Sequence, residues 1–182
     1  TVSFFLLDIL LNMAKYESKT ANGTCIFCDI VAKDDPKALF WQDEKHIAFL
    51  SIDPNTPGFS LVVPKTHCVS DIMKMPDNDL KEFIVAAKKV AQILEDFYSD
   101  VGRVGLVMEG TGIDHAHIKL VPMHGTEHMK NGEWKQYLSD VEHWFEAYEG
   151  WLSSAGGPMV DRDALVELTQ KIRKSQTVSP KE

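Results

Sequence analysis

From Asp77 to Tyr98 the apolar residues fall at Leu80, Phe83, Ile84, Ala87, Ala91, Leu94 and Phe97. This spacing of three and four collects them on one face of a helix. The stretch predicts a long amphipathic helix with that face against a core, and Asp77 stands where an N-cap belongs. Ahead of it the pattern changes. Leu39–Trp41 and Ile47–Ile52 are β-prone runs separated by the polar "QDEKH", which predicts a hairpin. "DPNTPGFS" then supplies two prolines and a glycine, a loop by its turn chemistry, before a third strand at Leu61–Pro64. Behind the helix, "VGRVGLVM" and "HAHIKLV" predict a fourth and a fifth strand. The "EGTG" loop between them is too short for a crossover, so the two should pair antiparallel.

The flanks are less regular. "GTCIFCDIV", Gly23 to Val31, reads as a turn leading into a helix or a strand. After Pro122 the composition shifts: "MHGTEHMKNGE" predicts a loop and Trp134–Tyr148 has helical aromatic spacing. "SSAGGP" breaks that pattern, Asp161–Lys174 predicts a last helix with Leu165, Leu168 and Ile172 on one face, and "SQTVSPKE" predicts a frayed tail. The apolar run in "TVSFFLLDILLNMAKYESK" contains Asp8, lacks a basic start and a small-residue cleavage site, and is too short to span a bilayer. These boundaries divide the chain into a peripheral segment, 1–20, a central domain, 21–125, and a C-terminal helical extension, 126–182.

Composition narrows the function classes. With 182 residues, 44% hydrophobic and 25% charged, the chain can bury one sizeable core. A formal net charge of -8 argues against nucleic acid or an anionic membrane as the main partner, while leaving small anionic ligands open. Cys25, Cys28 and Cys68 do not make a disulfide framework and suit a reducing compartment, hence a cytoplasmic protein.

In a strand, His115, His117 and Lys119 share one face, and Ala116, Ile118 and Leu120 share the other, where the long helix can cover them. Three accounts compete for the polar face. It can be the solvated side of a half-buried strand. It can hold a metal through the two imidazoles, although a protonated lysine is an unsuitable third ligand. Or it can do phosphoryl chemistry, with one imidazole as nucleophile, a neighbour orienting it and the ammonium offsetting phosphate charge. Only the last account uses all three residues. Cys25 and Cys28 form a CxxC, which is half a zinc site or two buried thiols.

"HAHIKLV" resembles the histidine triad of the HIT family, His-φ-His-φ-His-φ-φ, with Lys119 in the third histidine's place. "CIFCDIV", "HIAFLSIDPNTPGFSLVVPKTH" and "GTGIDHAH" resemble further stretches of that family, in the same order, from about Thr24 to Pro122. The resemblance implies an α+β fold with a five-stranded antiparallel sheet, a long packed helix and a homodimer. It also implies cleavage of nucleotidyl phosphoanhydride or phosphoramidate bonds in a purine nucleotide substrate, without an organic cofactor. His117 then takes the nucleophile position and His115 the orienting one, with Phe27, Ile30, Leu50, Ser51 and Ile52 lining the nucleoside pocket. Cys25, Cys28, His67 and His115 become the ligands of a structural zinc.

Several positions depart from the family pattern. Ser51 replaces an aspartate that takes both ribose hydroxyls, and Asp53, two positions on, can point the same way. Phe59 replaces a histidine, Met108 replaces a substrate-fixing asparagine, and Thr111 offers a replacement hydroxyl. Lys119 keeps positive charge while weakening general-acid help to the leaving group. The competing expectation, a catalytically weakened nucleotide-binding or scaffold protein, rests on the same departures. A zinc hydrolase with the imidazoles as open-site ligands lacks a suitably spaced third ligand.

Overall fold

The computed structural model describes residues 24–134 and 159–176. The expectations for residues 1–20, for the Trp134–Tyr148 helix beyond Trp134 and for the tail beyond Gln176 lie outside the described residues.

"CIFCDIV" resolves to helix: α1 spans Ile26–Lys33 and turns its one buried side chain, Phe27, inward. β1 (Leu39–Gln42) and β2 (His46–Leu50) form the expected hairpin. Its turn is organised by Asp43, whose carboxylate accepts from the amides of Lys45 at 2.9 Å and His46 at 2.7 Å. β2 ends at Leu50, so Ser51 and Ile52 fall outside the strand predicted to include Ile52. β3 is Ser60–Pro64.

A short 3-10 turn, Ile72–Lys74, leads to α2, Asp77–Phe97. Asp77 is not the cap. Pro76 holds that position with φ -56° and ψ 139°, and Asp77 is the first helical residue. There its charge still faces the positive end of the helix dipole. β4 is Val101–Val107 and β5 is Ile118–His124. The last helix, α3, covers Arg162–Ser175 and is capped by Asp161, whose carboxylate accepts from the amides of Asp163 and Ala164 at 3.0 and 3.1 Å.

The five strands form one antiparallel sheet in the order β1-β2-β3-β5-β4. β5 starts three residues later than expected and runs through Pro122. A proline cannot donate to a ladder, and it is accommodated because the β3–β5 pairing ends at the Ser60–Leu120 pair, before Pro122 is reached.

Alternation along the strands divides the core in two. Phe40, Ala48, Leu50, Val62, Ile118 and Leu120 join Phe83, Ala87, Val90 and Leu94 of α2, and Ile172 of α3, in the main cluster. Ala116 belongs to it as well, so the expected packing of Ala116, Ile118 and Leu120 on the long helix is observed. On the opposite face Leu39, Ile47, Phe49 and Val63 gather around Phe27 of α1. The candidate chemistry lies on this second face.

Candidate functional site

His115 and His117 precede β5 rather than standing in it. The segment that carries them is held by other means. The amide of Ala116 donates to the carbonyl of Cys68 at 2.9 Å, and Asp114 Oδ1 accepts from the amide of Ser70 at 2.9 Å. Both imidazoles still lie on one side, where the edge of Phe27 meets them at ring-centre distances of 5.8 Å for His115 and 5.5 Å for His117. Lys119, inside β5, pairs with Leu61 of β3 and Val107 of β4.

The hydrogen bonds fix both tautomers. His117 Nδ1 lies 2.8 Å from the carbonyl oxygen of His115, and a carbonyl only accepts, so Nδ1 carries the proton. The lone pair is left on Nε2. His115 has the opposite arrangement: Nε2–H donates to the Pro64 carbonyl at 2.9 Å, and the lone pair on Nδ1 faces Cys25 Sγ at 3.5 Å and Cys28 Sγ at 3.6 Å. Burial pushes both imidazoles below their ordinary pKa, so both are neutral at pH 7. At His117 the charge of Lys119 acts in the same direction, and the charge of Glu109 opposes it. A buried neutral imidazole with a protonated Nδ1 can act as a nucleophile through Nε2.

Glu109 received no role in the sequence. It pairs with Lys119 through Oε1, and its side chain is 4% exposed against 20% for the lysine. The acid lies two residues beyond Val107, the β4 partner of Lys119, and therefore returns to the same face. Only the strand register discloses this. Gly110 then turns the chain at φ 66°, and a Cβ there would lie 2.7 Å from the Ser70 carbonyl oxygen.

Cys25, Cys28, His67 and His115 each bring one donor atom to within 4.8 Å of the others. His67 Nδ1 lies 3.4 Å from Cys28 Sγ. This is the set named from the sequence, and it can enclose a single metal ion. Burial, followed by the Cys25 thiol beside it, raises the pKa of Cys28.

The residues expected to line a nucleoside pocket are only partly brought together. Phe27 and Ile30 pack in the small cluster beside the imidazoles. Ser51 is buried, its hydroxyl donates to Asp53 Oδ1 at 2.7 Å, and Ile52 is exposed. Leu50 turns the other way, into the cluster under α2, because it alternates with Phe49 along β2. Met108 also packs against that cluster, and Thr111 is exposed on its loop. Phe59 is buried.

Lys65 Nζ donates to the Asp43 carbonyl at 2.7 Å, at the β1–β2 turn. His46 is buried and stacked on Phe83 at 5.5 Å with an interplanar angle of 7°. His124 bridges Asp100 and the Pro57 carbonyl, at 2.9 and 3.0 Å.

Comparison with known proteins points to one family. A family model for the HIT domain matches residues 32–133. Protein hit of Bacillus subtilis is 32% identical over 122 residues, 65% of this chain and 83% of its own length. The adenosine 5'-monophosphoramidase HNT1 of Saccharomyces cerevisiae is 30% identical over 104 residues, 57% of this chain and 65% of its own. Among solved structures, a Zn-bound histidine triad family protein from Mycobacterium smegmatis superposes with a TM-score of 0.53 at 22% identity, over 85% of this chain and 94% of its own. With the HIT-domain model matched over residues 32–133, more than half of its length, the chain belongs to the HIT family.

Proposed function

We propose that the protein hydrolyses or transfers a nucleotidyl group through a covalent histidine intermediate. The observation that carries this reading is the 2.8 Å bond from His117 Nδ1–H to the His115 carbonyl, which leaves the Nε2 lone pair on a neutral ring. In the first half-reaction Nε2 attacks the α-phosphorus, and the bond from phosphorus to the leaving oxygen or nitrogen breaks with its electron pair going to the leaving group. Water then attacks the same phosphorus, the P–N bond to His117 breaks, and the imidazole returns with its lone pair while the nucleoside monophosphate departs; the proton that water releases to solvent balances the one the leaving group takes up from solvent in the first half-reaction. His115 orients this ring through its carbonyl, and Lys119 offsets the phosphate charge.

A purine nucleotide is the substrate class, as HNT1 acts on an adenosine phosphoramidate by its name. Phe27, Ile30 and Ile52 supply the apolar wall for the nucleoside, and the linked Ser51 and Asp53 face the ribose. A homodimer belongs to the same reading.

Cys25, Cys28, His67 and His115 fit zinc. In a tetrahedral site with bonds of about 2.0 Å to nitrogen and about 2.3 Å to sulfur, a nitrogen-to-sulfur edge is about 3.5 Å. Three of the four sulfur-to-imidazole distances are 3.4, 3.5 and 3.6 Å, and all four donor atoms lie within 4.8 Å of one another. His115 also donates its other N–H to Pro64, the outer-shell bond that a metal-ligating imidazole needs. Zinc held by these four would be closed and structural, fixing His115 and hence the carbonyl that orients His117.

The test is intact-mass analysis after brief mixing with adenosine phosphoramidate or diadenosine tetraphosphate, using wild type and His117→Gly. A transient adduct of a single AMP in wild type alone is the expected result. No adduct and no turnover, with AMP still bound by calorimetry, would replace this reading with a nucleotide-binding protein.

A further inference from the structure

We infer that Glu109 is a positioning residue for Lys119, and that the two together, rather than the lysine alone, take the place of the third triad histidine. The inference rests on the proposed nucleotidyl chemistry for its readout, but its evidence is geometric.

Lys119 is fixed at its Cα by ladders on both sides, to Leu61 and to Val107. Its ammonium is not fixed by them, since a lysine carries its charge on a flexible stem with several rotatable bonds. A histidine in that place would have a short, rigid ring. The ion pair with Glu109 supplies the missing constraint: it binds the ammonium from the β4 side of the sheet, with an acid that is itself almost fully buried. The backbone of that acid is in turn held. It lies two residues past the end of β4, and the next residue, Gly110, passes so close to Ser70 that a side chain there would meet the Ser70 carbonyl. Glu109 is therefore the more rigid partner, and Lys119 the adaptable one.

The pair also sets the charge beside the nucleophile. Lysine alone would present a full positive charge to His117, whereas lysine with its carboxylate presents a dipole whose positive end is defined in place. A defined donor aimed at a developing phosphate charge costs no reorganisation during reaction, and this is the property expected to appear in turnover more than in ground-state binding.

A double-mutant cycle of Glu109→Gln and Lys119→Met tests the assignment, with turnover of adenosine phosphoramidate and diadenosine tetraphosphate and thermal unfolding measured on all four proteins. Glutamine keeps the shape of Glu109 and removes its charge. The expected result is that Glu109→Gln lowers kcat by about tenfold while KM moves less than about twofold, and that adding it to Lys119→Met lowers kcat no further. Equal losses of kcat in both backgrounds would overturn the proposal, because they would assign Glu109 to support of the loop. A kcat within twofold of wild type would overturn it as well. If wild-type protein turns over neither substrate, the proposed function fails separately, and the same cycle is then measured as AMP affinity by calorimetry. A change of affinity on Glu109→Gln that vanishes in the Lys119→Met background would sustain the positioning role, and independent changes would end it.

Discussion

At the scale of single residues, the largest departure from the histidine triad is a lysine, and its consequence is separable from that of its partner. Lys119→Ala removes both the charge and the counterion of a nearly buried carboxylate. It should lower kcat by about 100-fold, whereas Lys119→Arg, which keeps the cation, should stay within about tenfold of wild type. Equal losses in steady-state turnover would exclude a mainly electrostatic role. Gly110 makes a second prediction. Its φ of 66° and its approach to Ser70 mean that Gly110→Ala should cost at least about 2 kcal/mol in denaturant unfolding and disturb Glu109 next to it. The triad and the CxxC were legible in the sequence because their chemistry is written in short spacings. Glu109 was not, because an acid ten residues before a lysine meets it only once the β4–β5 register is known. The Ser51–Asp53 bond was half legible: the spacing allowed both to point one way, and the structure adds that the hydroxyl already donates to the acid.

At the scale of elements, the sheet, the hairpin, the long helix and α3 were readable from periodicity, while their ends were not. His115 and His117 were placed on a strand because alternation continues through them, yet the β3 ladder stops at Val62 opposite Ile118, and the bond from Ala116 to Cys68 takes its place. The family resemblance placed Leu50 in the pocket, and the pleat sends it to the other face. The hairpin turn gives the prediction proper to this scale. Burial alone would raise the pKa of Asp43, but its bonds from the amides of Lys45 and His46 outweigh burial and hold the carboxyl below its usual range. Asp43→Ala should therefore lower unfolding free energy by about 1–2 kcal/mol at neutral pH. Because the folded pKa lies below the unfolded one, this contribution is complete above about pH 4 and is lost as pH falls through the folded value. Urea unfolding of both proteins at pH 7 and pH 3 checks it, and the gap between them should narrow in acid.

At the scale of the molecule, two distant parts of the chain close the structure around its sheet. α3 inserts Ile172 into the cluster under α2, so the C-terminal helix is part of the main core and Ile172→Ala should cost about 2–4 kcal/mol in denaturant unfolding. On the opposite face, the four metal-ligand candidates come from three stretches: Cys25 and Cys28 at the start of α1, His67 after β3, and His115 before β5. A cation there would tie α1 to both segments that frame His117. Without it, α1 is held to the sheet by the small cluster around Phe27, in which Leu39, Ile47, Phe49 and Val63 are the buried sheet residues. The metal should therefore govern stability and site geometry together. Purified protein should contain a single zinc per chain, and its removal by a strong chelator should lower the midpoint of thermal unfolding by on the order of 5–15 °C, with zinc restoring it. Cys28→Ser should reproduce the lowered midpoint and make it insensitive to chelator. A midpoint unchanged by chelation in protein shown by elemental analysis to have lost its metal would mean that Phe27 and its neighbours hold α1 by packing alone.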